Sequence, residues 1–290
     1  MQLTQEKTHD KKDGLFGIGF SGSTLKYFAA ALMVCDHLSQ FFFPHALWLK
    51  MLGRLVAPIF LYMLAEGFYY TRNRRRYILQ LLAGSLIMFT INQVLDNNLR
   101  FADFETAPAL INNIFGTMFI SALLMWPVDM VMKGIKARDP RKTAVGIVIV
   151  LAIVLMSLLM ASILVASMDR YFEGSGSAFT FYALVGFPTL FNCEGGFLLV
   201  ILAVLFYIFR GNKLGQMLSL AALSILHFVP MLFAGGPTFD IQWLECFAII
   251  PLLMYNGKRG RGGAFSKWFF YIFYPGHIYL FFFIAWLIGR

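Results

Sequence analysis

Charge is scarce in this 290-residue chain: Asp, Glu, Lys and Arg together make up 13% of it, against 59% hydrophobic residues. Soluble domains are about half apolar and about a quarter charged. A chain this poor in charge cannot cover a water-facing globule with polar surface, so a bilayer is the solvent that suits it. Outside the apolar runs no stretch is long enough to bury a core of its own. Cysteine is scarce as well. Cys35, Cys193 and Cys246 lie in or beside apolar segments without a CxxC pair, which argues against a disulfide framework or a zinc site and makes them buried, apolar-like side chains. No P-loop, GxGxxG, HExxH or GxSxG motif is present, and no metal site is expected. There is no low-complexity segment, internal repeat or matched pair of broken helices, which argues against a transporter built from inverted repeats. Met1 to Ser23 has no short apolar core followed by a small-residue cleavage site. The first span, from Leu25, is therefore expected to serve as an uncleaved insertion signal.

What the chain does have is apolar length. A spanning helix needs about 20 mostly apolar residues. Nine runs approach that length: 25–43, 52–71, 77–95, 110–132, 143–168, 195–210, 216–234, 240–256 and 267–288. The fold expected is all-α, a polytopic transmembrane helix bundle of about nine spanning helices. It divides into a polar cytoplasmic tail, 1–24, and one transmembrane domain, 25–290. A further apolar segment, Ser177 to Phe191, is short and contains Gly186 and Pro188, the character of a re-entrant or interfacial piece.

The basic residues decide the topology. They cluster at Lys11-Lys12 with Lys26, Arg72–Arg76 (RNRRR), Lys133–Lys142 (KGIKARDPRK), Arg210 with Lys213, and Lys258–Lys267 (KRGRGGAFSK). The alternate loops, Asp96–Glu105, Asp169–Glu173 and Gly235–Asp240, are acidic or neutral. Lys and Arg concentrate in cytoplasmic loops. Nine spans place every basic cluster on one side, whereas a tenth crossing at 177–191 inverts the later loops. The expectation is a multi-pass cell-membrane protein with a cytoplasmic N-terminus and an outer C-terminus. The net charge of +9 then reflects topology and contact with membrane lipids, not nucleic acid, because the cations form no stripe with interleaved aromatics.

An ionisable group within a span costs several kcal/mol and is a functional candidate. Asp36 and His37 lie about 10 residues beyond Lys26, and His277 about 10 beyond Lys267, so all three sit roughly 15 Å above the inner boundary at ~1.5 Å per residue. A carboxylate beside imidazoles suits general-base chemistry; the bland reading is helix–helix hydrogen bonding. Arg54, near the outer start of the second span, either snorkels to the headgroups or anchors a carboxylate, a thioester carbonyl or an oxyanion. Pro58 is positioned to kink that helix. Glu66 needs a partner. Glu194 sits in NCEGG (Asn192 to Gly196), and Glu245 follows Asp240 and Gln242. Asn92, Gln93, Asn112 and Asn113 read as interhelical glue. Tyr274-Pro275-Gly276, directly before His277, is expected to break the helix ladder inside a cavity. The polar groups gather from the midplane outward, which predicts a cavity opening outward. The basic loops below it suit nucleotide phosphates, although topology and anionic lipid also account for them.

Three stretches together carry a family resemblance: LKYFAAALMVCDH (Leu25 to His37), GRLVAPIFLYMLAEGFYYTRN (Gly53 to Asn73) and KWFFYIFYPGHIYLF (Lys267 to Phe281). In order and spacing they resemble the TraX family, whose founding activity is N-terminal acetylation of conjugative pilin. The resemblance implies a membrane acyltransferase that passes an acetyl group from cytoplasmic acetyl-CoA to an acceptor at the outer side. It does not supply the acceptor, for which an amine or hydroxyl is expected, on a protein N-terminus, a peptide or a glycan. It makes His37 the catalytic base, Asp36 its orienter, and Arg54, Glu66 and His277 lining residues. His277 is also expected to be catalytic, since either it or Arg54 is placed to stabilise the thioester oxyanion. Tyr274, Glu194 and Glu245 join them as candidate lining residues from their positions alone. The rival reading is a proton-coupled transporter of a small solute, in which the intramembrane Asp and His form a relay.

Overall fold

The computed structural model describes residues 19–99, 110–233, 241–260 and 264–289. The expected cytoplasmic tail as far as residue 18 lies outside these residues, as do most of the two acidic loops at 100–109 and 234–240. Among the described residues the regular structure is helical, apart from an isolated parallel bridge between Phe20 and Tyr255.

Helix α1 spans Gly22–Phe41, and its N-terminus is capped by Ser21, whose Oγ accepts from the Thr24 N–H at 3.2 Å. α2 (Leu47–Gly53) and α3 (Val56–Tyr70) meet at Arg54 and Leu55 and together make one apolar stretch of 24 residues. Pro58 is the third residue of α3, where its missing N–H has no intrahelical partner to lose. Asn73 caps α4 (Arg74–Asn98) by accepting from the Arg76 N–H at 3.0 Å. α5 (Ile114–Ala137) and α6 (Pro140–Phe172) form a tight hairpin: Arg138 adopts φ 52° and Pro140 opens the next helix. α7 (Ala178–Gly186) is short, as expected of a segment that does not cross, and is followed by non-helical chain through Glu194. α8 (Gly196–Ile208), α9 (Lys213–Phe233), a 3-10 turn (Gln242–Ala248) running into α10 (Ile249–Leu253), and α11 (Ala264–Leu287) complete the bundle.

Among the described residues five helices are long and apolar enough to cross a bilayer: Leu47–Tyr70, Arg74–Asn98, Ile114–Ala137, Pro140–Phe172 and Trp268–Leu287. The other runs are helical too, but α8 and Gln242–Leu253 have 13 and 12 residues, about 20 Å each at ~1.5 Å per residue. α1 has the length but carries Lys26, Asp36, His37 and Gln40 among its apolar residues. Hydropathy alone therefore counts runs of apolar residues, not crossings. α8 packs beside α3 and α5, and Gln242–Ala248 beside α3 and α9; the residues at their starts lie at the site described below.

α5 stands at the centre, packed against α4, α6, α8 and α3, while α1 packs on α2, α3 and α11. Phe68, Phe206 and Phe282 are fully buried between these helices. α6 lies outermost, and Val148, Leu151, Leu155, Met156 and Val165 on it are exposed, as a lipid-facing helix requires. One end of the bundle collects the basic segments through their own contacts. Arg74 and Lys133 share Asp129 at 2.6 and 2.7 Å. Arg210 reaches the Tyr70 hydroxyl at 2.6 Å, Lys213 donates to the Tyr255 carbonyl at 2.7 Å, and the Gly22 N–H donates to the Lys258 carbonyl at 2.8 Å. One correction concerns α11: it runs unbroken through Tyr274-Pro275-Gly276. Pro275 forgoes a single N–H bond, and the packed aromatics on both sides hold the helix.

Candidate functional site

A cavity of about 930 Å³ runs through the bundle between α1, α3, α4, α5 and α11, within the range of roughly 300–1,000 Å³ typical of ligand sites. At its inner end it is lined by Asp36, His37, Arg54, Glu194, Gln242 and Tyr274. At the other end the lining is Lys26, Thr71, Asn73, Arg76, Gly257 and Arg259, of which Asn73, Arg76, Gly257 and Arg259 are exposed. The cavity thus reaches the basic end of the bundle, and at the opposite end its lining includes the exposed Gly195.

α1 and α11 bring the two histidines together. His37 Nδ1 lies 2.6 Å from His277 Nε2, and His277 Nδ1 lies 2.6 Å from the Phe273 carbonyl. A carbonyl only accepts, so the proton between them belongs to His277 Nδ1. For two neutral rings His277 Nε2 then accepts from the His37 Nδ1–H, and His37 Nε2 is left unprotonated, 3.3 Å from the Asn112 amide that donates to it. Gln40 fixes that amide by donating to Asn112 Oδ1 at 3.0 Å, and Asn92 donates to the Asn112 carbonyl at 3.1 Å. A base with one defined unprotonated nitrogen is the result. His37 is buried and lines the cavity; His277 stands behind it.

Asp36 does not pair with His37. Its partner is Arg54, at 3.4 Å, and the orienting place expected for Asp36 is taken by His277. Arg54 sits at the junction of α2 and α3 and donates to Gln242 Oε1 at 2.7 Å, so its charge faces the site and does not snorkel. Gln242 in turn donates to Glu245 Oε2 at 3.2 Å, and Glu245 Oε1 meets His227 Nδ1 at 2.7 Å. Glu245 is fully buried and lies behind Gln242, outside the cavity lining. His227, on α9, is the member of this chain that the sequence reading passed over, although an ionisable residue within an apolar run was the signal that found the others.

Glu194 enters at the turn before α8. Gly195 and Gly196 there adopt φ 75° and 68°, a left-handed pair that turns the chain sharply. Its Oε2 accepts from the Asn113 N–H at 2.5 Å and the Tyr274 hydroxyl at 3.3 Å, and Tyr274 also accepts from the Ile114 N–H at 3.0 Å. Glu194 and Tyr274 therefore tie α5, α8 and α11 together at the inner end. Asn112 and Asn113, read as glue, position the base and this acid respectively. Glu66 lines the middle of the cavity, and its partner is Arg210 at 3.1 Å, whose guanidinium also stacks 3.6 Å from the Tyr69 ring centre. Cys35, Cys193 and Cys246 are free and only partly buried. Among the described residues no group of His, Cys, Asp and Glu is arranged to hold a metal ion.

No solved structure matches the chain. A relative, the probable fimbrial assembly protein FimC, serogroup H1, of Dichelobacter nodosus, is 25% identical over 282 residues, covering 91% of this chain and 95% of its own. The sequence profile described as TraX protein matches residues 21–174. That match takes in the DH pair of α1, the Arg54–Glu66 stretch and the central helix α5, and it covers more than half of the 290 residues: this multi-helix membrane protein belongs to the TraX family.

Proposed function

We propose that this protein is a membrane-embedded acetyltransferase, moving an acetyl group from acetyl-CoA to an amine or hydroxyl acceptor across the bilayer. The observation that carries the reading is one continuous cavity with cations at its exposed mouth and, at its inner end, a histidine whose tautomer is set by a second histidine. The mouth suits an anionic donor and the inner end suits proton transfer, so the residues present fit acetyl-CoA, which supplies the activated acetyl group. His37 Nε2 takes the proton of the acceptor nitrogen or oxygen as that atom bonds to the acyl carbon. Arg54, held between Asp36 and Gln242, faces the negative charge that develops on the acyl oxygen. When the carbon–sulfur bond breaks, the proton on His37 passes to the departing sulfur. Glu194 and Tyr274 line the inner end, on the path of the acceptor.

The convergence of the basic segments on one end supports the nine-run topology, with that end and the N-terminus in the cytoplasm and the C-terminus outside. Residues 25–290 form a single acyltransferase domain after a cytoplasmic tail. The relative named for fimbrial assembly supports a pilus subunit as the acceptor, its N-terminus being one of the amines the chemistry accepts. The test is mass spectrometry of surface peptides, pilus subunits and glycans from cells with and without the protein. An acetyl group that disappears with the protein is the expected result. Identical acetylation, together with thermal stabilisation by pH or ions but not by coenzyme A, refutes the enzyme and favours the transporter.

A further inference from the structure

We infer that the exposed mouth of the cavity, at Lys26, Arg76 and Arg259, is a phosphate-binding subsite that takes the nucleotide end of a coenzyme A thioester. The inference deepens the acetyltransferase reading and rests on it.

Three separate chain segments supply the three cations: α1, the first turn of α4, and the loop after α10. The loop is held against α1 by its backbone. The Ser23 N–H and the Ser23 hydroxyl both donate to the Arg259 carbonyl, at 3.0 and 2.9 Å. Arg76 is held by the Asn73 cap. Their shared place on the cavity wall singles these residues out among the cations of this end, several of which, Arg72 and Arg75 included, also have no ion pair among the described residues. Elsewhere at this end Arg74 and Lys133 are neutralised by Asp129, and Arg210 by Glu66. Among the described residues Lys26, Arg76 and Arg259 have no carboxylate partner, although all three line one cavity. Placing unneutralised cations around one void is unfavourable unless an anion enters it.

The spacing fits the donor. His37 is eleven residues beyond Lys26 on α1, about 16 Å along the helix at ~1.5 Å per residue. The arm between the phosphates and the sulfur of coenzyme A is a chain of about twelve bonds of ~1.3–1.5 Å each, reaching roughly 15 Å when extended. Between the two ends the cavity wall includes the apolar Phe60, Met63, Leu64 and Met118, with Glu66 paired to Arg210. Phosphates at the mouth therefore bring the sulfur to the base. An anionic lipid headgroup offers the same phosphate chemistry, so the test has to separate the two sources.

The full-length protein in phosphatidylcholine nanodiscs is titrated with coenzyme A, with adenosine 3′,5′-bisphosphate and with S-acetylpantetheine, which lacks the nucleotide. Binding is followed by calorimetry and by thermal shift. The expected result is that the bisphosphate binds and competes with coenzyme A, more weakly as salt rises. Lys26→Gln, Arg76→Gln and Arg259→Gln each weaken coenzyme A about two- to fivefold and together at least about tenfold. S-acetylpantetheine binding stays unchanged, and this also shows that the variants are folded. If the triple variant binds coenzyme A like the parent protein, the subsite is refuted while the acetyltransferase reading stands. If the parent protein binds no coenzyme A, both fall. If the substitutions alter binding only in phosphatidylglycerol nanodiscs, the mouth is a lipid-headgroup site and the inference is overturned.

Discussion

Gly53→Ala adds one methyl group and removes no chemistry, yet the structure predicts a large loss of activity. Gly53 ends α2, directly before Arg54. A Cβ at this position lies 2.3 Å from both Cγ and Oδ1 of Asp36. Ordinary contact begins near 3.4 Å, so the carboxylate, or the α2–α3 junction, has to give way by about 1.1 Å. The Arg54–Asp36 pair already stands at 3.4 Å, close to the ~4 Å limit of an ion pair, so such a shift separates it and turns Arg54 away from Gln242. Overpacking of this kind costs about 1–3 kcal/mol of stability, and a displacement of ~1 Å in a catalytic constellation costs about 10²-fold in rate. Gly276→Ala is the control: a Cβ there meets nothing within 4 Å, and replacing a mid-helix glycine gains about 0.5–1 kcal/mol. The assay is coenzyme A release from acetyl-CoA by the purified variants, with melting followed in the same detergent. A Gly53→Ala protein as active and as stable as the parent refutes the placement of Arg54 against Asp36.

Two further predictions probe the groups around the site. Glu245→Gln keeps the shape but weakens the hold on Gln242 and His227; because Glu245 touches the site only through Gln242 and Arg54, we expect turnover to fall about tenfold with little change in coenzyme A affinity, whereas an unchanged rate shows that this chain positions nothing. Asp129→Ala leaves Arg74, Lys133 and the Tyr207 hydroxyl without the carboxylate that binds all three, and removing one partner of a mostly buried pair costs about 3–5 kcal/mol. The expected outcome is a clear fall in melting temperature with donor affinity preserved in the protein that remains folded; an unchanged melt contradicts the role of Asp129 as the tie between α4, α5 and α8.

Much of the site was legible because hydrocarbon makes ionisable residues conspicuous. Asp36, His37 and His277 stand out against apolar runs, and counting residues from Lys26 and Lys267 placed the two histidines at one depth, where they meet. Pairing was less legible, because it depends on which way a side chain leaves its helix. Asp36 and His37 are adjacent in sequence but point to different partners, Arg54 and His277. The partner of Glu66 lies 144 residues away at Arg210, a separation no local pattern encodes. The count of crossings was the hardest to read. Apolar runs do not reveal where a helix starts within the thickness of the bundle, and α8 and Gln242–Leu253 are short helices at whose starts Glu194 and Gln242 help to build the inner end of the cavity.

The central claim is that His37 acts as the base of an acetyl transfer. It is tested most directly by measuring thiol release from acetyl-CoA, in the presence of acceptor, by the purified protein and by His37→Ala at matched folding. The account predicts release by the parent protein and a fall of at least about 10²-fold in the variant, with coenzyme A binding retained. Equal release by the two proteins contradicts it.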